Sequence, residues 1–471
     1  MNNANRVLDA VVDELVDALI AALGPGGVLS GDALHSDYTH DETLTAEPVL
    51  PLAVVLPTST VQVSNVMKIA DEFEIPVVLR GSGTGLSGGA KPVENGVVMA
   101  FEKMASIVEV DEINRTAVVE PGVTLDQLND AIAPKGLVYP VFPGESTATI
   151  GGNIGTNAGG MRAITYGVTR HHVLGLEVVL ADGRVIRTGG KIVKSSSGYD
   201  ITQLMIGSEG TLGVVTQATL KLQPIRPFVS TLLAPFSSLD EAASAVQHVL
   251  CGGVTPLMLE YLDAITMSGI TSIAGIDLGV SDNIRARAVA YLIVALESSH
   301  EDRLEDDTET VATQLSEDGA LEVYVLPRPA GTQLIQAREK AFFAAKAAGA
   351  DDLVDTVVPR SEIFDYMTAV STLADTQGAF VAGCGHVGDG NVHLSVFQPD
   401  PEKRGELLRA IFETAMSIGG AISGEHGIGT EKQKYFLELE HPVKLDLMRK
   451  IKSVFDPKCI LGPERLVDPP T

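Results

Sequence analysis

The sequence predicts an α+β chain of two successive layered units. Short β-branched runs alternate with helical stretches over most of its length, glycine clusters crowd the first half, and Gln223-Pro224-Ile225-Arg226-Pro227 breaks the pattern midway. At 471 residues the chain exceeds one ordinary core, which agrees with two units.

Val7, Leu8, Val11, Leu15, Leu19 and Leu23 recur at helical spacing, so the chain opens with an amphipathic helix that Gly24-Pro25-Gly26 stops. Strands are expected at Ala53 to Leu56, Val77 to Leu79, Val97 to Ala100, Ala117 to Val119 and Leu176 to Leu180. Helices fall between them at Val61 to Phe73 and Thr124 to Ala133, and Asp182-Gly183 reads as a hairpin turn. Beyond the prolines, strands near Thr231 to Leu233, Tyr291 to Leu296, Glu322 to Leu326 and Leu353 to Val358 start a second unit. Its helices lie near Leu239 to Val249, Thr310 to Leu315, Leu334 to Ala347 and Glu362 to Asp375, with later ones near Gly405 to Ser417 and Val443 to Val454. No internal repeat is visible.

A formal charge of -27 argues against nucleic acid or an anionic membrane as partner, because phosphate binding needs clustered Lys and Arg. The three cysteines, Cys251, Cys384 and Cys459, form no C-x-x-C pair and cannot hold an iron-sulfur cluster alone. They point to a reducing compartment. Met1 to Asp13 has neither the pattern of a secretory signal nor that of an Arg-rich transit peptide, and the longest apolar run, Ala288 to Leu296, is too short to cross a bilayer. The expectation is a cytoplasmic protein without a transmembrane segment.

Three segments are dense in glycine: Arg80 to Gly89, Gly151 to Gly160 and Gly207 to Gly213. Successive glycines let backbone N-H groups approach an oxyanion, as a pyrophosphate requires. The first cluster departs from the Rossmann form, since Leu86 stands where a third glycine belongs, and no cluster ends in the Gly-Lys-Ser/Thr of a P-loop. Any one alone reads as tight turns without a ligand. Three together favour a large extended cofactor gripped through main-chain atoms.

Near the C-terminal third stands Gly385-His386-Val387-Gly388-Asp389-Gly390-Asn391-Val392-His393. With Asp389 and Gly390 as a two-residue turn, His386 falls directly opposite His393 on one face, where both imidazoles can chelate a divalent cation. Ser423-Gly424-Glu425-His426-Gly427 offers a further carboxylate and imidazole. Histidines near a turn equally well hydrogen-bond backbone or solvent, so these residues alone leave metal binding open.

These residues together resemble the vanillyl-alcohol oxidase type (PCMH-type) of flavoproteins. Within it, the likeness is to the group of D-lactate dehydrogenase, the flavin subunit of glycolate oxidase and D-2-hydroxyglutarate dehydrogenase. The resemblance runs from about Pro51 to the end, on Arg80 to Gly89, Pro143 to Gly152, Asn157 to Gly160, Lys194 to Asp200, Ile206 to Gly213 and both histidine motifs. It implies a two-part FAD-binding domain, an α/β substrate domain with an antiparallel sheet, and a C-terminal helical segment returning to the FAD domain. The corresponding bounds are 1–46 for an N-terminal helical segment, 47–226 for FAD, 227–424 for substrate and 425–471 for the returning segment.

By the same resemblance FAD is held noncovalently by Arg80, Gly81, Ser82, Gly83, Thr84, Gly85, Pro143, Gly144, Ser146, Gly151, Gly152, Thr156, Asn157, Glu209, Gly210 and Gly213. His386, His393 and Glu425 fall on positions for a divalent metal, Zn or Mn, and His426 on that of the base. Arg338 falls on the position that meets the substrate carboxylate, and Asn391 is a candidate for orienting substrate. Ser195 departs from the amide or carboxylate common in relatives after Lys194.

The implied activity is oxidation of a D-2-hydroxyacid, hydride passing to flavin N5. Phe342 near Arg338 favours a short or apolar acid such as D-lactate or a glycolate-like acid. Electrons would leave to a quinone, a redox protein or oxygen, with peripheral membrane association through that acceptor and a homodimer left open. A metal-dependent hydrolase and a non-catalytic flavin-binding subunit are the competing readings.

Overall fold

The structure is a computed structural model that describes residues 3–45 and 47–467. The chain opens with the helix Asn3–Leu23, whose Leu15 and Leu19 are buried; the side chains of Val7, Leu8 and Val11 lie outside the described residues. Two larger sheets and the short pair Leu137–Val138 with Gln223–Pro224 form the first half. The four-stranded one runs Val28–Ser30, Ala53–Val55, Val97–Ala100, Val77–Arg80, with its last three strands parallel. The helix Thr60–Phe73 makes the crossover between two of them; the Ser59 hydroxyl caps it, and Val63, Val66 and Met67 are buried.

The other sheet is antiparallel, in the order Ile107–Asp111, Thr116–Val119, Val214–Lys221, Val173–Val179, Val185–Gly189. The helix Leu125–Ile132 packs Leu128 and Ile132 into the core shared with that sheet and begins with a capping box between Thr124 and Gln127.

The second half centres on seven strands in the order Tyr324–Leu326, Phe228–Phe236, Ala290–Ser298, Met258–Asp263, Phe380–His386, Asn391–Phe397, Asp352–Val357. All its pairings are antiparallel. Helices such as Leu239–Cys251, Glu301–Glu317, Ile363–Thr376 and Pro401–Ser417 bury one side of it in the largest apolar core.

The strand Met258–Asp263 is absent from the sequence reading, because Leu257 to Leu262 is a nearly continuous apolar run whose period does not separate strand from helix. The expected helix Leu334 to Ala347 is broken at Lys340 into Arg328–Glu339 and Ala341–Ala347.

The histidine hairpin differs from its expected register. His386 pairs with Asn391 and Cys384 with His393, so the connection is four residues, Val387 to Gly390. A two-residue type I′ turn needs φ > 0 at both central positions, and here only Gly390 is left-handed, at φ 95°. Val387 is fully buried in the core, and the Gly388 N-H donates to Leu259 O at 3.2 Å, which holds the longer loop in place. The shift is an even number of residues, so both histidines keep one face.

After the strand Asn391–Phe397 the chain returns to the first half. The Val77 N-H donates to Ile460 O at 2.7 Å and the Gly462 N-H to Val77 O at 2.9 Å, extending the edge of the four-stranded sheet. Buried Lys452 locks this return, donating to Thr211 O at 2.8 Å and pairing with Asp456 at 2.6 Å.

Candidate active site between a glycine cradle and a histidine cluster

Two adjoining cavities lie where the halves meet. The first, of about 240 Å3, is lined by all three glycine segments, including Gly81 to Gly85, Gly151, Gly152 and Gly210. The amide nitrogens of Gly81 to Gly85 donate to no acceptor among the described residues. A run of unspent N-H groups lining a cavity is the donor set a pyrophosphate needs. At Gly83, φ is +77° and an added Cβ would stand 2.1 Å from the Arg80 guanidinium, so only glycine serves there. The residues present therefore fit a dinucleotide cofactor held by main chain.

Of the expected cofactor residues, Arg80, Gly81, Ser82, Gly83, Thr84, Gly85, Pro143, Gly151, Gly152, Thr156, Glu209, Gly210 and Gly213 line this cavity. Gly144 lines its neighbour instead. Ser146 and Asn157 line neither cavity. The Ser146 hydroxyl donates to Asp126 at 2.7 Å, and Asn157 caps the helix Ile150–Thr156 in left-handed conformation at φ 55°. The segment around Ser195 is exposed and also outside both.

The second cavity, about 440 Å3, contains His386, His393, Glu425, His426 and Arg338. His386 Nε2 and His393 Nε2 each lie 3.3 Å from Glu425 Oε1, and the three residues offer donor atoms within 4.8 Å of one another. The rings of His386 and His393 are diagonal neighbours, 4.9 Å apart between centroids. Glu425 reaches them from the loop after the helix Pro401–Ser417, and a methyl group at Gly159 would stand 2.8 Å from its Oε2.

Behind the donors stand two carboxylates that the sequence reading missed. Glu260, 1% exposed, accepts from His386 Nδ1 at 2.7 Å and faces Arg338 NH2 at 2.9 Å through its other oxygen. It occupies the position next to Tyr261, which pairs with Gly385, so register alone brings it beside His386. Asp355 stands opposite His393 in the sheet, its Oδ1 3.7 Å from His393 Nδ1. Its Oδ2 accepts from Ser423 Oγ at 2.7 Å and from the amides of Gly424, Glu425 and His426 at 3.1, 3.1 and 2.8 Å.

Carboxylates behind ring nitrogens orient metal-binding histidines and fix their tautomer. Burial opposes charge on His386, but Glu260 and Glu425 hold its imidazole protonated well above the usual range. Burial likewise pushes the Glu425 carboxyl up, yet the His386 charge and hydrogen bonds from His386 and His393 hold it well below. A pocket that retains a proton between two carboxylates accepts a divalent cation in its place. His386, His393 and Glu425 fit such an ion. Cys384 is buried beside Arg338 and outside the donor group, its thiol pushed up by burial.

His426 stacks on His393 at 5.1 Å, and burial brings its imidazole down to about 4, against the pull of Asp355. Its Nδ1 lies 3.8 Å from Asp355 Oδ2. Asn391 has a different place from the one expected: it lines neither cavity, and its amide nitrogen donates to Asp355 Oδ1 and Thr356 O, both at 2.8 Å. Glu209 spends its carboxylate on the amides of Ile428 and Gly429, at 2.8 and 2.7 Å, and so ties the histidine loop to the cradle.

Known proteins match the chain across both halves. Residues 51–189 match the family model described as FAD binding domain, and 225–466 that of FAD linked oxidases, C-terminal domain. The chain is 49% identical over 452 residues to an uncharacterised FAD-linked oxidoreductase of Mycobacterium tuberculosis, covering 96% of this chain and 98% of that one. It is 39% identical to glycolate oxidase subunit GlcD of Bacillus subtilis, with 97% of each chain covered. It is 38% identical to D-lactate dehydrogenase of Archaeoglobus fulgidus, covering 91% and 95%. Among solved structures, p-cresol methylhydroxylase with substrate bound shares the fold at TM-score 0.81 and 21% identity, over 98% of this chain and 97% of that one.

Proposed function

Because the chain belongs to the FAD-linked oxidases, with a PCMH-type FAD-binding fold and FAD as its cofactor, we propose that it oxidises a D-2-hydroxyacid to the 2-oxoacid. The observation that carries this reading is the meeting, in one cavity, of Arg338, His426 and the His386/His393/Glu425 donor group against the cofactor side. In it, residues 47–226 hold FAD, 227–424 hold substrate and 425–471 close the site. The D-lactate dehydrogenase and glycolate oxidase relatives support the substrate class.

When bound, FAD would supply the acceptor for the C2 hydride, and a divalent cation held by His386, His393 and Glu425, Zn or Mn, would supply Lewis-acid polarisation of the hydroxyl. Arg338 takes the substrate carboxylate, its guanidinium held in place by Glu260 at 2.9 Å. His426 takes the hydroxyl proton. With its Nδ1 turned to Asp355, Nε2 is the nitrogen left to meet substrate. Asn391 serves as a positioning residue for Asp355. The onward electron acceptor in this reading would be a quinone, a redox protein or oxygen. No helix of the described residues is long and apolar enough to cross a membrane.

The test is anaerobic titration of the yellow holoenzyme. D-2-hydroxyacids should bleach the flavin, and chelation should abolish the bleaching while leaving the flavin bound. A holoenzyme that no hydroxyacid reduces would favour the non-catalytic flavin-binding subunit instead.

A further inference from the structure

The walls beyond the donor group say what kind of side chain the hydroxyacid carries. The substrate cavity shares Thr84, Leu86, Pro143, Glu145, Glu425 and His426 with the glycine-lined one, and this common side faces the cofactor. Ile265, Gly269, Phe342, Ala345, Ala382 and Phe397 line the walls that are not shared. They come from the helices Ala264–Ala274 and Ala341–Ala347 and from the two strands of the histidine hairpin. Apolar groups make the surface and small ones leave the room. At Gly269 nothing lies within 4 Å of an added Cβ, so neighbouring packing does not close this lobe.

Size and charge point the same way. A volume of about 440 Å3, shared with the cofactor along its common side, falls within the roughly 300–1,000 Å3 of ligand pockets. Ile265 and Phe343, 59% and 48% exposed, present apolar surface at this cavity that a bulky apolar group would cover. Arg338 is the one Lys or Arg in the lining, and it is taken by Glu260 and the substrate carboxylate. The acidic residues outside the donor group are Glu42, Glu145 and Glu339, and Lys346 near the rim is spent on Glu42 at 2.8 Å. A second carboxylate on the substrate would find no further Lys or Arg in that lining, and Glu145 and Glu339 instead.

We propose that the substrate is a 2-hydroxyacid with an uncharged apolar side chain bulkier than methyl, branched aliphatic or aryl. This deepens the hydroxyacid reading and rests on it. Of the short or apolar acid that Phe342 favoured in the sequence, it keeps the apolar tail and replaces the lactate size. Each methylene buried in the lobe should raise kcat/KM roughly fourfold until the lobe is full.

The experiment uses the holoenzyme and a panel of D-lactate, D-2-hydroxybutyrate, D-2-hydroxyisocaproate, D-3-phenyllactate and D-2-hydroxyglutarate, followed by anaerobic flavin reduction. Efficiency for hydroxyisocaproate or phenyllactate should exceed that for lactate by roughly tenfold or more, with hydroxyglutarate last. Perturbation of the flavin spectrum should show 2-oxoisocaproate binding more tightly than pyruvate by a similar factor. Ala345→Leu, which fills the lobe, should lower the phenyllactate-to-lactate ratio. Equal or better efficiency with lactate, a preference for hydroxyglutarate, or an unmoved ratio in Ala345→Leu overturns the inference and leaves the hydroxyacid reading standing. A flavin that no member of the panel bleaches overturns both.

Discussion

The two cavities meet along one wall yet are made of different matter. The cradle takes its donors from consecutive main-chain amides at Gly81 to Gly85, whereas the donor cluster draws side chains from four separate stretches, around Glu260, Asp355, His386 to His393, and Ser423 to His426. Main-chain donors survive most substitutions away from glycine positions; a side-chain cluster fails when one member is lost. The cofactor and the chemistry should therefore come apart under mutation.

The largest separation is expected at the loop Glu425-His426. Glu425→Ala should leave a yellow protein depleted in metal and unable to be reduced by hydroxyacid. His426→Ala should keep both flavin and metal and lose roughly 10²- to 10⁴-fold in the rate of flavin reduction, the range for removing a general base. Metal analysis beside the flavin spectrum reads both. A Glu425→Ala protein with full metal content would remove that residue from the ligand set.

Asp355 comes next, because it organises the loop without lining either cavity. Asp355→Asn keeps the volume but must turn an NH2 group toward either Asn391 or the amides of residues 424–426. Buried donors left without an acceptor cost about 1–3 kcal/mol each, so the variant should lose about 3 kcal/mol of stability in denaturant unfolding while still taking up FAD. A variant as stable as the parent would show that the loop holds itself.

Glu260 should matter for affinity more than for folding. Glu260→Gln removes the charge behind His386 and should weaken metal binding roughly 10- to 100-fold, measured by competition with a chelator. Unchanged metal affinity would mean that the 2.7 Å contact to His386 serves packing alone.

The same contrast governs what was legible in the sequence. The cradle is written in continuous segments, so glycine spacing and the resemblance together pointed to it; of its exceptions, Gly144 lines the neighbouring cavity, the Ser146 side chain turns to Asp126, and the Asn157 side chain accepts from the Arg170 amide. The histidine hairpin was legible in parity but not in register, because Asp-Gly marks a turn without fixing how many residues enter it. Glu260 was invisible because its strand was. Asp355 did carry a signal, a lone acid inside Val354 to Val358, where a half-buried strand has no use for charge unless something pairs with it. What no local pattern states is that register carries Asp355 opposite His393 and Glu260 beside His386.

The smallest effect tests whether the side-chain-built cavity also differs from the cradle in its response to pH. Glu339 lines the substrate cavity, and burial, partly offset by Arg162 and Lys340, raises its carboxyl to about 7. An acid raised on folding contributes stability below its unfolded pKa and loses it as pH rises through the folded value, so Glu339 becomes charged in the cavity above about 7. That charge lies next in sequence to Arg338 and opposes an incoming carboxylate. The group is partly open to solvent, which screens it, so KM for the hydroxyacid should rise only roughly two- to threefold between neutral and mildly alkaline pH. Glu339→Gln should flatten that rise, and FAD affinity, set by main-chain donors that do not titrate, should stay level over the same range in both proteins. A KM profile that Glu339→Gln leaves unchanged would place the titrating group elsewhere in the cluster, whereas parallel drift in FAD affinity would show that the two cavities are not electrostatically independent.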